Sequence, residues 1–108
     1  VLIASLLLGG CAALGGRAMP DPLTPEEHFQ LGVSYEQSGK LDLAMREYER
    51  AATGPTAATA LTCQGNIHLT RAELPAAEAK YRAALAVDPD QVHALNNLAW
   101  LLAQEGRS

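Results

Sequence analysis

The chain has 108 residues, a formal net charge of −4, 48% hydrophobic residues and 5% aromatics. That length holds one small domain and excludes two full cores. A mildly acidic balance with interspersed signs excludes the clustered cations of a nucleic-acid binder and argues against an acidic disordered tail.

Residues 1–10 carry no charge. A membrane span needs about 20 apolar residues, so this run is too short, and Gly9, Gly10, Gly15 and Gly16 interrupt it. It has the size of the apolar region of a signal peptide followed by small residues at a cleavage site. Leu8-Gly9-Gly10-Cys11 resembles the lipobox of bacterial lipoproteins. Small residues there let the peptidase reach the bond before Cys11, and the thiol is the acyl-accepting nucleophile. Gly9 is a less common variant of the usual Ala or Ser. The resemblance implies a lipoprotein signal peptide over 1–10 with a shortened n-region, lipidation of Cys11, and a flexible tether over 11–24. Acyl chains on Cys11 would anchor the chain to a membrane, since more than one chain is needed for stable attachment. Ala12, rather than Asp, implies a place at the outer membrane facing the periplasm, in the bacterial cell envelope. A plain secretory signal and a structural apolar segment stay open as alternatives. Cys63 is left as the free thiol, with no intrachain disulfide expected.

From residue 25 the chain repeats itself. Gly32, Tyr35, Ala44, Tyr48 and Ala51 recur 33 positions later as Gly65, His68, Ala77, Tyr81 and Ala84. Thr24-Pro25-Glu26-Glu27 has the marks of a helix start: a hydroxyl cap, Pro at the first position and acids in the first turn. Ser38-Gly39 ends that helix. A second opens at Leu41-Asp42, with Ala44 and Ala51 as its small face and Tyr48 between, and Thr53-Gly54-Pro55-Thr56 breaks the chain. Helices are expected again over about 57–71 and 75–87, then a turn at Val87-Asp88-Pro89-Asp90 and a final helix over about 92–105. Leu95, Leu98, Ala99 and Leu102 form a stripe on that last helix expected to cover the preceding one.

This spacing resembles the tetratricopeptide repeat, a helix–turn–helix unit of 34 residues. The resemblance implies an all-α fold: a short α-solenoid of about two and a half repeats, with the first over 25–56 and the second over 58–91. Residues 92–108 are the first helix of a third repeat or a capping helix, and Trp100 and Leu101 outside its stripe favour a chain cut within the third repeat. Gln64 in the place of Leu31, and His68 in the place of Tyr35, weaken the packing expected of the second unit. With so few units to stack, folding in isolation is expected to be marginal.

No catalytic constellation, phosphate-cradling loop or paired-cysteine metal spacing is present, so no enzyme activity, cofactor, metal or small-molecule substrate is expected. His68 is expected as a core imidazole, His93 as solvated and Cys63 as a half-buried thiol. Asp42, Glu47, Glu49 and Glu78 are expected on solvated helix faces. The resemblance implies a concave partner-binding groove lined by the first helix of each unit. It places there Glu26, Phe29, Val33, Glu36 and Gln37, then Thr59, Thr62, Asn66, Leu69 and Thr70, then His93, Asn96, Trp100, Ala103 and Gln104. Trp100 is the leading contact, because Trp is enriched at binding hot spots. Its competing role is packing against a further helix. Phe29 and Thr62 stand where a C-terminal-carboxylate clamp needs cations, so that partner class is disfavoured. The function expected is a non-catalytic, membrane-anchored scaffold that binds a protein segment or helix, such as an assembly factor of an envelope complex of the type IV pilus kind. The rivals are a non-catalytic arm of a larger enzyme or regulator extending past residue 108, and a cytosolic repeat fragment whose apolar start is incidental.

Overall fold

The structure is a computed structural model, and residues 19–106 are described here. Five α-helices follow one another among them: α1 (Pro25–Gln37), α2 (Leu41–Ala51), α3 (Ala57–Thr70), α4 (Leu74–Val87) and α5 (Val92–Gln104). There is no strand among the described residues. The architecture is an all-α helical-repeat solenoid, as the spacing predicts.

Each helix boundary has a local cause. Thr24 is extended, and its Oγ1 accepts the Glu27 N–H at 3.1 Å, satisfying one of the free donors of the first turn. Pro25 fills a position whose N–H would have had no partner. At the other end Ser38 leaves the helix and Gly39 turns left-handed at φ +76°, so that the Lys40 N–H reaches back to the Tyr35 carbonyl at 2.9 Å. The same turn recurs between α3 and α4, where the Glu73 N–H reaches the His68 carbonyl at 2.9 Å. There, however, the left-handed residue is Ala72, at φ +58°. Between the units, Gly54–Thr56 forms a short 3-10 turn. The Thr56 hydroxyl donates to the Ala51 carbonyl at 2.6 Å, closing the end of α2 where the second unit uses Pro89.

Packing explains the repeat. Ala44, Tyr48 and Ala51 of α2 are fully buried with Ala60 and Ile67 of α3, and Phe29 and Val33 of α1 lie against them. One unit later Ala77, Tyr81 and Ala84 of α4 are buried with Ala94, Leu98 and Leu101 of α5, flanked by Leu61 and Leu69 of α3. Each second helix is therefore gripped on two sides by first helices, and its small residues set the close approach. The Tyr ring sits directly over a glycine in both units. A β-carbon at Gly32 would lie 2.7 Å from Tyr48 Cε1.

Several expectations need correction. Of the expected stripe on α5, Leu98 and Leu102 pack against the core as expected, joined by Ala94 and fully buried Leu101, while Leu95 is 46% exposed and Ala99 is exposed. The helix is thus rotated from the expected orientation, because the i, i+4, i+7 row that begins at Ala94 brings a small residue first against α4. Glu47 is not on a solvated face but buried, because His28 of α1 faces it and bonds it. Glu78 is half-buried and bonded to Arg82 at 2.9 Å. His68 is half-buried rather than a core group, with its Nδ1 3.1 Å from Glu73 Oε1. Gln64 is buried, donating to the Met45 carbonyl at 3.2 Å, and its Oε1 has no partner among the described residues. The second unit's weak point thus lies where Gln replaces Leu.

Candidate protein-binding face

The first helices α1, α3 and α5 carry the residues expected to line a groove. On α1, Glu26 and Gln37 are exposed, while Phe29, Val33 and Glu36 are half-buried. Phe29 leans on Tyr48 with ring centroids 5.6 Å apart and planes tilted by 47°. Glu36 is engaged from within: its Oε1 accepts the Tyr48 hydroxyl at 2.6 Å. Burial, then that hydrogen bond, raises the Tyr48 pKa far above the ordinary tyrosine range.

On α3, Thr59 and Thr70 are exposed and Asn66 and Leu69 half-buried. Thr62 is buried, and its hydroxyl donates to the Ala58 carbonyl of its own helix at 2.8 Å. It offers a partner nothing without a rearrangement. Asn66 is a junction. Its Oδ1 accepts from the Tyr81 hydroxyl at 2.7 Å and from the Asn97 side chain at 2.8 Å, so α3, α4 and α5 meet at one oxygen. An amide oxygen with two lone pairs is then fully used. The Asn66 side-chain NH2 keeps its donors.

On α5, His93, Asn96, Trp100, Ala103 and Gln104 are all exposed, Trp100 by 53%. These five residues, with exposed Glu26, Gln37, Thr59 and Thr70 and the half-buried Phe29, Val33, Glu36, Asn66 and Leu69, supply the accessible part of the face. It is apolar at Phe29, Val33, Leu69 and Trp100 and acidic at Glu26 and Glu36, and the fifteen positions hold no Lys or Arg. Such a surface can bury aliphatic or aromatic side chains and hydrogen-bond a backbone, but it has no fork for an anion.

Other chemistry-bearing groups lie elsewhere. Cys63 is half-buried against the first core cluster. Burial, with the Glu36 charge adding to it, pushes its thiol up to about 11. His28, to which the sequence reading assigned no role, is 3% exposed and held between Asp21 and Glu47. The signal for it was the place of His28, which aligns with the core residue Leu61 one repeat later. Among the described residues no cluster of His, Cys, Asp and Glu has the arrangement to hold a metal ion. No helix among them is long and apolar enough to cross a membrane. Cys11 and the lipobox lie outside the described residues.

A family model for the tetratricopeptide repeat matches residues 64–108, which takes in the end of α3, all of α4 and α5. No curated protein matches the chain. The match and the helix–turn–helix pairing together support a protein of tetratricopeptide-repeat type. Repeats of this type are protein-interaction modules, and protein binding is the class of function the match supports.

Proposed function

We propose that the chain is a non-catalytic scaffold that binds a protein segment or helix on the α1–α3–α5 face, with Trp100 as the anchoring contact. The observation that carries this reading is Trp100, 53% exposed beside Asn96 on a helix with no charged side chain other than His93, if protonated. A large, flat, apolar side chain left in water at low entropy cost is the kind of group that dominates binding energy. Phe29, Val33 and Leu69 add apolar area, and the Asn96 amide can pair with a partner's backbone.

The sequence pattern around Cys11 supports a second part of the proposal. Lipidation there would place the scaffold at the bacterial outer membrane facing the periplasm, where an envelope complex, such as a pilus assembly, is its natural class of partner. The acidic, cation-free face supports protein rather than nucleic acid as that partner.

The test joins both parts. A photo-crosslinking amino acid at position 100 is expressed with a complete signal sequence in a Gram-negative host, with and without Cys11→Ser. The expected result is acyl mass on Cys11, outer-membrane recovery that Cys11→Ser abolishes, and a discrete crosslinked protein from position 100. An unmodified chain of unchanged location in both forms removes the anchor. Crosslinking from position 100 no stronger than from a photo-crosslinker at exposed Glu49, on α2 and outside the face, removes the face.

A further inference from the structure

Outside the binding face, three elements meet at one buried imidazole. His28 of α1 is 3% exposed. Its Nε2 lies 2.5 Å from Asp21 Oδ2, on the segment that leads into α1, and its Nδ1 lies 2.9 Å from Glu47 Oε1, on α2. A neutral imidazole has one N–H, so its other nitrogen would set a lone pair against a carboxylate oxygen. Both contacts are attractive only when the ring carries two N–H donors. The folded arrangement therefore holds a proton that a free histidine would release.

We propose that His28 is a pH-operated latch: as an imidazolium it pins the segment 19–23 to the first repeat, and on losing its proton it lets that segment go. The charged groups facing the ring are Asp21 from that segment, and Glu47 with its neighbour Arg50 from α2. Arg50 Nη1 stands 3.2 Å from Glu47 Oε2. This makes release one-sided. When the ring discharges, Glu47 keeps Arg50 and stays on α2. Asp21 is left with the Leu23 N–H, 2.9 Å from its Oδ1, a bond local to its own turn, and with only the weaker, longer-range pull of Arg50 from the repeat.

The energetics have the matching sign. Burial works against the charged ring, but the hydrogen bonds to Glu47 and to Asp21 outweigh it and raise the His28 pKa above 6.5. A raised histidine contributes its full stabilisation below pH 6.5 and loses it as pH rises through the folded value. The Leu23 N–H, then His28, lowers the Asp21 pKa from 3.8, so at the acid end the latch opens only as pH falls through that lowered value. The latch is closed between the two.

NMR of the full chain tests this. The ring resonances of His28 are followed with pH, together with the backbone amides of Asp21, Leu23 and Thr24. The expected result is a His28 midpoint above 6.5, with those amides shifting at the same midpoint. Asp21→Asn, on a half-exposed side chain outside every helix, is expected to lower the His28 midpoint while leaving helicity intact. A His28 midpoint at or below 6.5 overturns the proposal. So do amides of Asp21, Leu23 and Thr24 that pass through the His28 transition unmoved.

Discussion

Tyr81 occupies the space that a side chain at Gly65 would need: a β-carbon there would stand 2.5 Å from Tyr81 Cε1 and 2.8 Å from Cδ1. The ring is fully buried and its hydroxyl is tied to Asn66, so it has no free end to swing away. Gly65→Ala is expected to destabilise the chain by about 1–3 kcal/mol through overpacking, despite the better helix propensity of Ala. Urea unfolding measures it. Tyr81→Leu in the same chain should cost less in the Gly65→Ala background than alone, because the cavity and the extra methyl share one site. Additive losses would show that the two residues do not compete for space.

Ala72 gives the opposite expectation. It holds φ +58° in the turn where the first unit places Gly39 at φ +76°. A β-carbon in that region meets the following carbonyl, and glycine avoids the clash. Ala72→Gly should therefore stabilise by about 0.5–1 kcal/mol, and Gly39→Ala should destabilise by about 1 kcal/mol. Thermal melts of both variants decide it, and shifts of the same sign would contradict the turn geometry.

Gln64 buries an amide oxygen without a partner where the first unit carries Leu31 and α5 carries Leu98. An unsatisfied buried acceptor costs on the order of 1–3 kcal/mol, while one neutral hydrogen bond is worth about 1 kcal/mol. Gln64→Leu loses the bond to Met45 and removes the larger cost, so it should stabilise the chain by a net of roughly 1 kcal/mol, read as a raised unfolding midpoint in urea. A lowered midpoint would assign Gln64 a needed role in joining α3 to α2.

Cys63 should be slow to react. With its pKa pushed up to about 11, the thiolate is scarce at neutral pH. Iodoacetamide should modify native Cys63 about 100-fold more slowly than the same thiol in the urea-unfolded chain, counting only the thiolate fraction. Equal rates would mean the site opens on the timescale of the reaction.

The spacing of Gly32, Ala44, Tyr48 and Ala51 with their counterparts was enough to read the helix pairs and most of the core. Those residues are fixed by a close approach that allows few substitutes, so their pattern survives in a single sequence. The His28–Glu47 contact was not legible. A glutamate on an amphipathic helix is ordinarily solvated, and only the crossing of α1 over α2 brings a histidine onto it. The rotation of α5 was hidden for a related reason. With Leu at 95, 98, 101 and 102, two overlapping stripes fit the sequence equally well, and Ala77, Tyr81 and Ala84 on the neighbouring helix select one. On the binding face, the sequence placed Thr62 and Glu36 by position, but their hydroxyl and carboxylate are already spent on Ala58 and Tyr48.

The two turns at Gly39 and Ala72 share one pattern of backbone bonds, since Lys40 and Glu73 each reach five residues back. One consequence is genetic. Removing residues 41–73 would join Lys40 to Leu74, the same junction that Glu73 now makes, and would bring Gly32 beneath Tyr81 in place of Tyr48. Duplicating that stretch would add a unit at the same seam. The length of the molecule is thus an editable quantity, graduated in steps of one helix pair, with Lys80 taking the place of Glu47 beside His28 as the contact to be redesigned in the shortened form.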